Sequence, residues 1–349
     1  MENMIGVVFP GQKRVEVQDF PIPEPKQGEA LVKIKASAIC RSDMSLYYGQ
    51  PVVGGEIAGS GKIIPGHEPA GEVVGIGSGV DNVAVGDRVA LYLAIGCGKC
   101  SHCLSGYKMS CREFKCIGFD LHGGDAEYMV IPAECCMKIP DEMSYVTAAV
   151  STDAIGTLYH ALKRLNVSGR DVIAVFGIGP MGGAGIIVGK GLGATVIAID
   201  QVDSRLALAQ EIGADYLVNS KDSSAVERIL EITKGLGADA ALDCSGSKYA
   251  ESDALNCVRA HGRVAFIGEN NEAIIDPSNQ FIRKQITLIG SWYFPTWEYP
   301  EIAKFIMDKK LPVEKLVTHT FGLQDAEEAF RLFDSKVTQK VVFIEEKTK

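Results

Sequence analysis

From about Asp153 onward, short apolar runs (DVIAVFG, ATVIAID, ADAALDCSG, GRVAFIG, ITLIGSW) alternate with helix-length segments (PMGGAGIIVGKGLG, DSRLALAQEIG, SSAVERILEITKGLG). Strands that are apolar at successive positions need cover on both faces, and crossover helices supply it. The alternation therefore predicts βαβ units in a doubly wound parallel sheet. Upstream, from Met1 to about Thr152, brief β runs (IGVVF, ALVKIKA, GEVVGIG, DRVALYL, AEYMVIP) are broken by Gly and Pro clusters, the texture of an all-β or barrel-like unit. A chain of 349 residues exceeds one ordinary core, so two domains are expected, changing over near residue 153. After Trp292, EYPEIAKFIMDKKL and DAEEAFRLFDS read as helices, and QKVVFIE as a last strand returning to the first domain.

Directly after DVIAVF comes Gly177-Ile-Gly179-Pro-Met-Gly182, a G-x-G-x-x-G that opens a helix. Its glycines permit a tight turn and close approach of a pyrophosphate to the free N–H groups of a helix N-terminus. The next strand, ATVIAID, ends at Asp200, where a carboxylate can accept hydrogen bonds from the adenosine ribose hydroxyls. Asp200, with Asp203 nearby, repels a 2′-phosphate, so NAD is favoured over NADP; Arg205 weakens that preference only slightly. The strand ends at Cys244-Ser245-Gly246, Ile267-Gly268 and Gly290-Ser291 are expected to line the cofactor crevice, since ligands gather at the carboxyl ends of parallel strands.

The formal charge of −9 speaks against a nucleic-acid or anionic-membrane surface, both of which need a clustered basic footprint. No stretch reaches the roughly twenty apolar residues of a membrane span, and MENMIGVVFPGQKRVEV reads as a first strand rather than a signal peptide. A soluble, cytoplasmic protein is expected, with its ten cysteines as reduced thiols. Four of them, Cys97, Cys100, Cys103 and Cys111, stand as C-x2-C-x2-C-x7-C, a spacing at which four thiolates close around one tetrahedral Zn2+. Such a site holds a loop in shape and leaves any zinc chemistry to other ligands. Cys116, Cys135, Cys136, Cys244 and Cys257 read as structural thiols.

Two further motifs lie upstream, Cys40-Arg41-Ser42-Asp43 and a G-H-E-x2-G-x5-G made of Gly66, His67, Glu68, Gly71 and Gly77. A cysteine and a histidine this far apart prove little by themselves, because buried Cys and satisfied core His are commoner. Taken in order, however, C-x-S-D, G-H-E-x2-G-x5-G, the four-cysteine lobe and the glycine fingerprint make the chain resemble the zinc-dependent medium-chain alcohol dehydrogenases over essentially its whole length.

That resemblance implies an α/β protein: a GroES-like β-rich catalytic domain over residues 1–153 and 294–349, and a Rossmann NAD-binding domain over 154–293. It implies two zinc ions per chain, one structural and one catalytic, the latter held by Cys40 and His67. The third catalytic ligand falls on Asp153, whose alternative role is an N-cap carboxylate for the helix that follows. Glu68 is implied beside the zinc, able to enter its coordination sphere during ligand exchange. Asp43 would accept the far N–H of His67, and the Ser42 hydroxyl would bond the substrate alcohol and begin proton release. Arg41 matches a contact to the cofactor pyrophosphate, or is a solvated arginine. Many relatives carry a relay His where this chain has Ser45, which cannot act as a base near neutral pH. A homodimer or homotetramer is implied, with no nucleic-acid or membrane partner.

The substrate pocket is expected near Ser42, Tyr48, Phe119 and Leu121, with Tyr293 and Trp297 as contributors. The texture of GFDLHGGDAEYMVIP and LIGSWYF is similar to polyol, sugar-alcohol and threonine dehydrogenases, which makes a secondary alcohol of a polyol or sugar derivative the expected substrate. Sorbitol-type relatives generally carry Glu as third ligand, so simple secondary-alcohol and L-threonine dehydrogenases stay open beside it. A reading of a different class is a zinc-stabilised nucleotide-binding protein without alcohol dehydrogenase activity.

Overall fold

The computed structural model describes residues 2–50 and 63–345. The chain divides into two compact units: Met1–Asp153 with Phe294–Asp308 and Val317–Lys349, and Ala154–Tyr293 with Lys309–Leu316.

In the second unit six parallel strands form one sheet, in the spatial order Tyr216–Asn219, Thr195–Asp200, Val172–Phe176, Ala238–Asp243, Val258–Phe266 and Thr287–Gly290. Counted along the chain this is 3-2-1-4-5-6, in which the winding reverses between the first and fourth strands and opens a crevice at their carboxyl ends. The helices Pro180–Gly191, Asp203–Glu211, Ala225–Ile232 and Lys248–Cys257 supply the crossovers that the sequence alternation predicts. Ala174, Phe176, Ile197, Ile229, Leu255 and Val264 are fully or almost fully buried in one of its core clusters, which explains why these runs are apolar at successive positions. The sequence reading gives 309–316 to the first domain, whereas Lys309–Leu316 groups with the second unit. Val313 and Leu316 are buried there, in a turn packed against Pro180–Gly191.

The first unit is built on the strand Glu29–Ile39. One side of it pairs with Glu68–Ile76; the other pairs with Tyr128–Pro132 over its first half and Lys340–Ile344 over its second. Arg88–Leu91, Cys136–Lys138 and Val317–Phe321 extend the sheet to seven strands. The last strand thus returns to the first unit, with Val341 opposite Ile39, while Glu68 lies opposite Ala38 on the other side. Both registers converge at the end of the strand that carries Cys40. Among the described residues, no helix is long and apolar enough to cross a membrane.

The turn that feeds the first parallel strand is clasped by Asp171. Its carboxylate accepts from the Ser168 amide at 2.7 Å, from the Ser168 hydroxyl at 2.9 Å and from Arg263, which also donates to the Leu165 and Asn166 carbonyls at 2.6 and 2.9 Å. Burial pushes the Asp171 carboxyl up, but Ser168 and Arg263 outweigh it and leave the group below its ordinary value. A depressed acid stabilises the fold above its unfolded pKa of about 4, and that stability is lost as pH falls through the folded value. Asp171→Asn is therefore expected to lower the thermal midpoint at pH 7, with the deficit shrinking below about pH 4. Calorimetry across that range checks it, and a deficit independent of pH would exclude the carboxylate's charge as the cause.

Candidate functional site

Cys40 follows directly on the strand Glu29–Ile39, and the chain then turns into the short helix Asp43–Tyr48. Asp43 is wholly buried because it ties two elements together. One carboxylate oxygen accepts the Cys40 amide at 2.8 Å and the other lies 2.9 Å from His67 Nδ1. His67 stands just before the strand Glu68–Ile76. Gly66, with φ of 91°, makes that approach possible: a Cβ there would fall 2.3 Å from Asp125 Oδ1. With Nδ1 bonded to Asp43, the lone pair of Nε2 faces the other way. Ser42 Oγ lies 3.4 Å from that Nε2.

Asp153 comes from a single π-helical turn, Ser151–Ile155, set between the helices Tyr145–Val150 and Gly156–Arg164. Ser144 caps the start, its hydroxyl accepting the Thr147 amide at 3.0 Å. Asp153 is thus inside helical backbone and is not an N-cap; π turns of this kind interrupt helices most often where a side chain must be re-aimed at a site. Its Oδ2 lies 3.4 Å from Cys40 Sγ and 3.9 Å from His67 Nε2.

Donor atoms of Cys40, His67, Glu68 and Asp153 all lie within 4.8 Å of one another. Thiolate, imidazole and carboxylate form a donor set that suits Zn2+, and the Cys40–Asp153 and His67–Asp153 distances match ligands sharing one small cation. Charge points the same way, since two carboxylates and a thiol share this place with one buried ammonium, Lys340. Burial pushes Glu68 up to about 8, Lys340 pulls against it, and Asp153 adds to the rise. A divalent ion is the partner that would let both carboxylates and the thiol carry charge here together.

The second candidate centre is the lobe of Cys97, Cys100, Cys103 and Cys111, whose sulfurs also lie within 4.8 Å of one another. Cys100 and Cys103 Sγ are 3.5 Å apart, against about 3.8 Å for sulfurs around a tetrahedral zinc. Amides of Cys97 and Glu113 point at Cys111 Sγ from 3.4 and 3.3 Å, and backbone amides bring the Cys97 thiol down to about 7. These donors suit four thiolates on one ion.

In the second unit the glycine turn has the shape that a dinucleotide requires. A Cβ on Gly182 would fall 2.0 Å from the Gly177 carbonyl oxygen, whereas one on Gly179 meets nothing within 4 Å, so the turn presents bare backbone to open space at the start of Pro180–Gly191. Asp200 ends its strand and accepts the amides of Ile178, Gln201 and Val202 at 2.6, 2.7 and 2.9 Å, with Arg205 3.7 Å away. It braces the glycine turn through the Ile178 amide. Ser245 and Gly246 are held by Asp243, and Ile267, Gly268 and Ser291 follow at the neighbouring strand ends. The structure brings these residues to one edge of the sheet.

The profile of the alcohol dehydrogenase GroES-like domain matches residues 26–141, and that of the zinc-binding dehydrogenases matches 180–308. The L-threonine 3-dehydrogenase of Pyrococcus horikoshii is 35% identical over 98% of this chain and 99% of its own length. The chain belongs to the zinc-type alcohol dehydrogenase family. The L-idonate 5-dehydrogenase of Vitis vinifera is 32% identical over 94% of this chain and 91% of its own. Among solved structures, the alcohol dehydrogenase rspB of Escherichia coli CFT073, complexed with cofactor NADH, matches with a TM-score of 0.89 at 26% identity over 99% of this chain and 100% of that one. The two units are the GroES-like and Rossmann-like domains of this zinc-type dehydrogenase.

Other expected residues are placed unevenly. The Phe119 ring centroid is 5.3 Å from that of His67, beside the cluster, and Leu121 lies on the same turn, accepting the Gly118 amide at 2.8 Å. Tyr48 instead donates its hydroxyl to Asp334, with Lys13 Nζ 5.1 Å from its ring centroid and the exposed Arg41 close by. Trp297 sits on the four-cysteine lobe, its Nε1 donating to the Ser105 carbonyl at 3.0 Å. Tyr293 is buried in the second unit. Ser45 lies on the exposed-to-buried flank of the short helix, one turn beyond Ser42. Sequence reasoning missed Lys340 and Asp125; the signal for the first was a lysine at the head of an otherwise apolar strand, and for the second an acid between Gly124 and Ala126 in a buried turn.

Metal analysis of the zinc-loaded dehydrogenase is expected to give two zinc ions per chain. Cys100→Ser should lose one of them and lower thermal stability while sparing the other ion. Retention of both ions in that variant would remove the lobe from the list of metal sites.

Proposed function

We propose that this zinc-type dehydrogenase oxidises the secondary alcohol of a polyol or sugar derivative with NAD. The broader activity, zinc-dependent and NAD-linked oxidation at a CH–OH carbon, belongs to its family. The observation that carries the reading is the meeting of Cys40, His67 and Asp153 with the Ser42 hydroxyl 3.4 Å from His67 Nε2. A purely structural metal site has no use for a hydroxyl at that position.

Cys40, His67 and Asp153 would hold the zinc, and the glycine turn with Asp200 would hold NAD. When bound, the zinc polarises the alcohol C–O–H group and the nicotinamide receives the hydride from its carbon. The remaining work falls to the chain's own residues. Asp43 fixes the His67 tautomer by accepting from Nδ1. Neither Ser42 nor Ser45 is a base near neutrality, so Ser42 would act as a relay, its Oγ accepting the proton of the substrate hydroxyl as its own hydroxyl proton passes to water. Phe119 shields one side of the His67 ring from solvent.

A neutral substrate is favoured by how the charges are spent. Among the described residues Glu68 is tied by one oxygen to Lys340, Asp43 to His67 and Asp125 by one oxygen to Ser37, so each of these acids already has a partner within the protein. Hydroxyl-rich substrates fit that inventory better than threonine. Relatives of both kinds match over nearly the whole chain, an L-threonine 3-dehydrogenase at 35% identity and an L-idonate 5-dehydrogenase at 32%, so the choice rests on the site.

NAD reduction is expected with a polyol or sugar alcohol in a panel that also holds simple secondary alcohols and L-threonine; turnover of threonine alone would reverse the substrate assignment. NADP should serve poorly. Ser42→Ala is expected to lower kcat by about 10²–10⁴-fold with zinc content unchanged, measured by steady-state kinetics beside metal analysis.

A further inference from the structure

Lys340 is buried to 1% exposure in the first unit, and Glu68, to which it donates, is wholly buried. The two are 272 residues apart in sequence and meet because their strands flank the same neighbour. Val341 pairs with Ile39 on one side of Glu29–Ile39, and Glu68 pairs with Ala38 on the other, so both side chains stand beside the strand end that carries Cys40. The pair is asymmetric: Glu68 Oε1 accepts from Lys340, whereas Oε2 is buried and has no hydrogen-bond partner among the described residues. A carboxylate oxygen in that state costs free energy unless something with positive charge reaches it. Glu68 offers a ligand atom within 4.8 Å of those of Cys40, His67 and Asp153.

The charges make the same point. One thiolate, two carboxylates and a neutral imidazole carry three negative charges; Lys340 cancels one, and a divalent ion cancels the other two. With zinc bound and Lys340 in place, the centre would be neutral on three protein ligands, with Glu68 bonded to the lysine instead of the metal. Without Lys340, the way to satisfy Glu68 is to place it on the metal, which closes the fourth position and makes the centre resemble the saturated four-cysteine lobe.

Resting on the zinc reading above, we propose that Lys340 is a positioning residue that tethers Glu68 by one oxygen and so keeps the fourth coordination position of the Cys40–His67–Asp153 centre open to substrate. The tether also sets how readily Glu68 swings in when that position is vacated. Lys340 does not touch the reacting atoms in this account; it acts through Glu68. Its consequence is specific, because loss of Lys340 is predicted to tighten metal binding rather than weaken it.

The experiment replaces the zinc of this centre by Co2+, whose spectrum reports coordination, with imidazole as a probe of the open position. Wild-type protein is expected to change its cobalt spectrum on adding imidazole. Lys340→Met should begin with an altered spectrum, respond weakly or not at all to imidazole, and retain metal against a chelator about tenfold to a hundredfold longer, the scale on which groups bonded to a metal ligand act. Lys340→Arg should restore the wild-type response, and so should Lys340→Met combined with Glu68→Gln. A Lys340→Met protein that keeps its metal and its full imidazole response overturns the proposal. If Lys340→Met does not fold, the double variant decides: a folded, imidazole-responsive double variant supports action through Glu68, and a double variant that also fails to fold overturns it in favour of a structural role. Wild-type protein that takes up no metal beyond the four-cysteine lobe defeats the metal-centre reading itself, a failure visible before any variant is made.

Discussion

Two carboxylates, a thiol and an imidazole crowd within 4.8 Å at the end of the strand Glu29–Ile39, in a place from which water is largely removed. Like charges at that separation repel strongly in a low-dielectric surrounding, so the arrangement persists only with compensating positive charge. Much of the first unit can be understood as the means of supplying it. The seven-stranded sheet brings a lysine from the end of the chain to an acid near its beginning, and the Asp43 carboxylate orients the imidazole. Neither element would be placed so by local propensity alone.

The two candidate metal centres show how differently a chain can assemble similar donors. The four-cysteine lobe spans fifteen residues and is shaped by its own turns, with backbone amides directed at sulfur. The other centre needs contributions from three separated stretches of sequence, and its geometry is only as good as the sheet register that joins them. Damage to the lobe should therefore remain local. Disturbance of the sheet around Ala38 and Ile39 would reach Cys40, Glu68 and Lys340 together.

How much of this was legible in the sequence followed the same division. The parallel sheet, the glycine turn with Asp200 and the cysteine spacing are short-range patterns, and each appears where its pattern placed it. Asp153 was legible through resemblance, but the π turn that aims it was not, since nothing in STDAI distinguishes one extra residue per turn from an ordinary helix. Lys340 was harder to read for another reason: a lysine at the head of the strand QKVVFIE stands out, but its inward direction is set by an acid 272 residues away. Tyr48 and Trp297 are aromatic residues whose partners, Asp334 and the Ser105 carbonyl, are likewise distant in sequence, so their expected place in a pocket had no local test. The segment 309–316 fell on the wrong side of the division because its apolar residues are too few to declare which core they join.

The π turn at Ser151–Ile155 carries a consequence for how this centre could change over evolutionary time. A bulge of one residue is a register shift held inside a helix, and deleting that residue would return the turn to ordinary α geometry. Each residue of an α-helix advances by about 100° around its axis, so residue 153 would rotate away from Cys40 and His67 while the helix itself survived intact. The ligand set could thus be dismantled by a single deletion that does not touch the cysteine lobe or the glycine turn in sequence. A non-catalytic descendant of this chain would be hard to recognise from its motifs, and the length of this one turn would be the place to look.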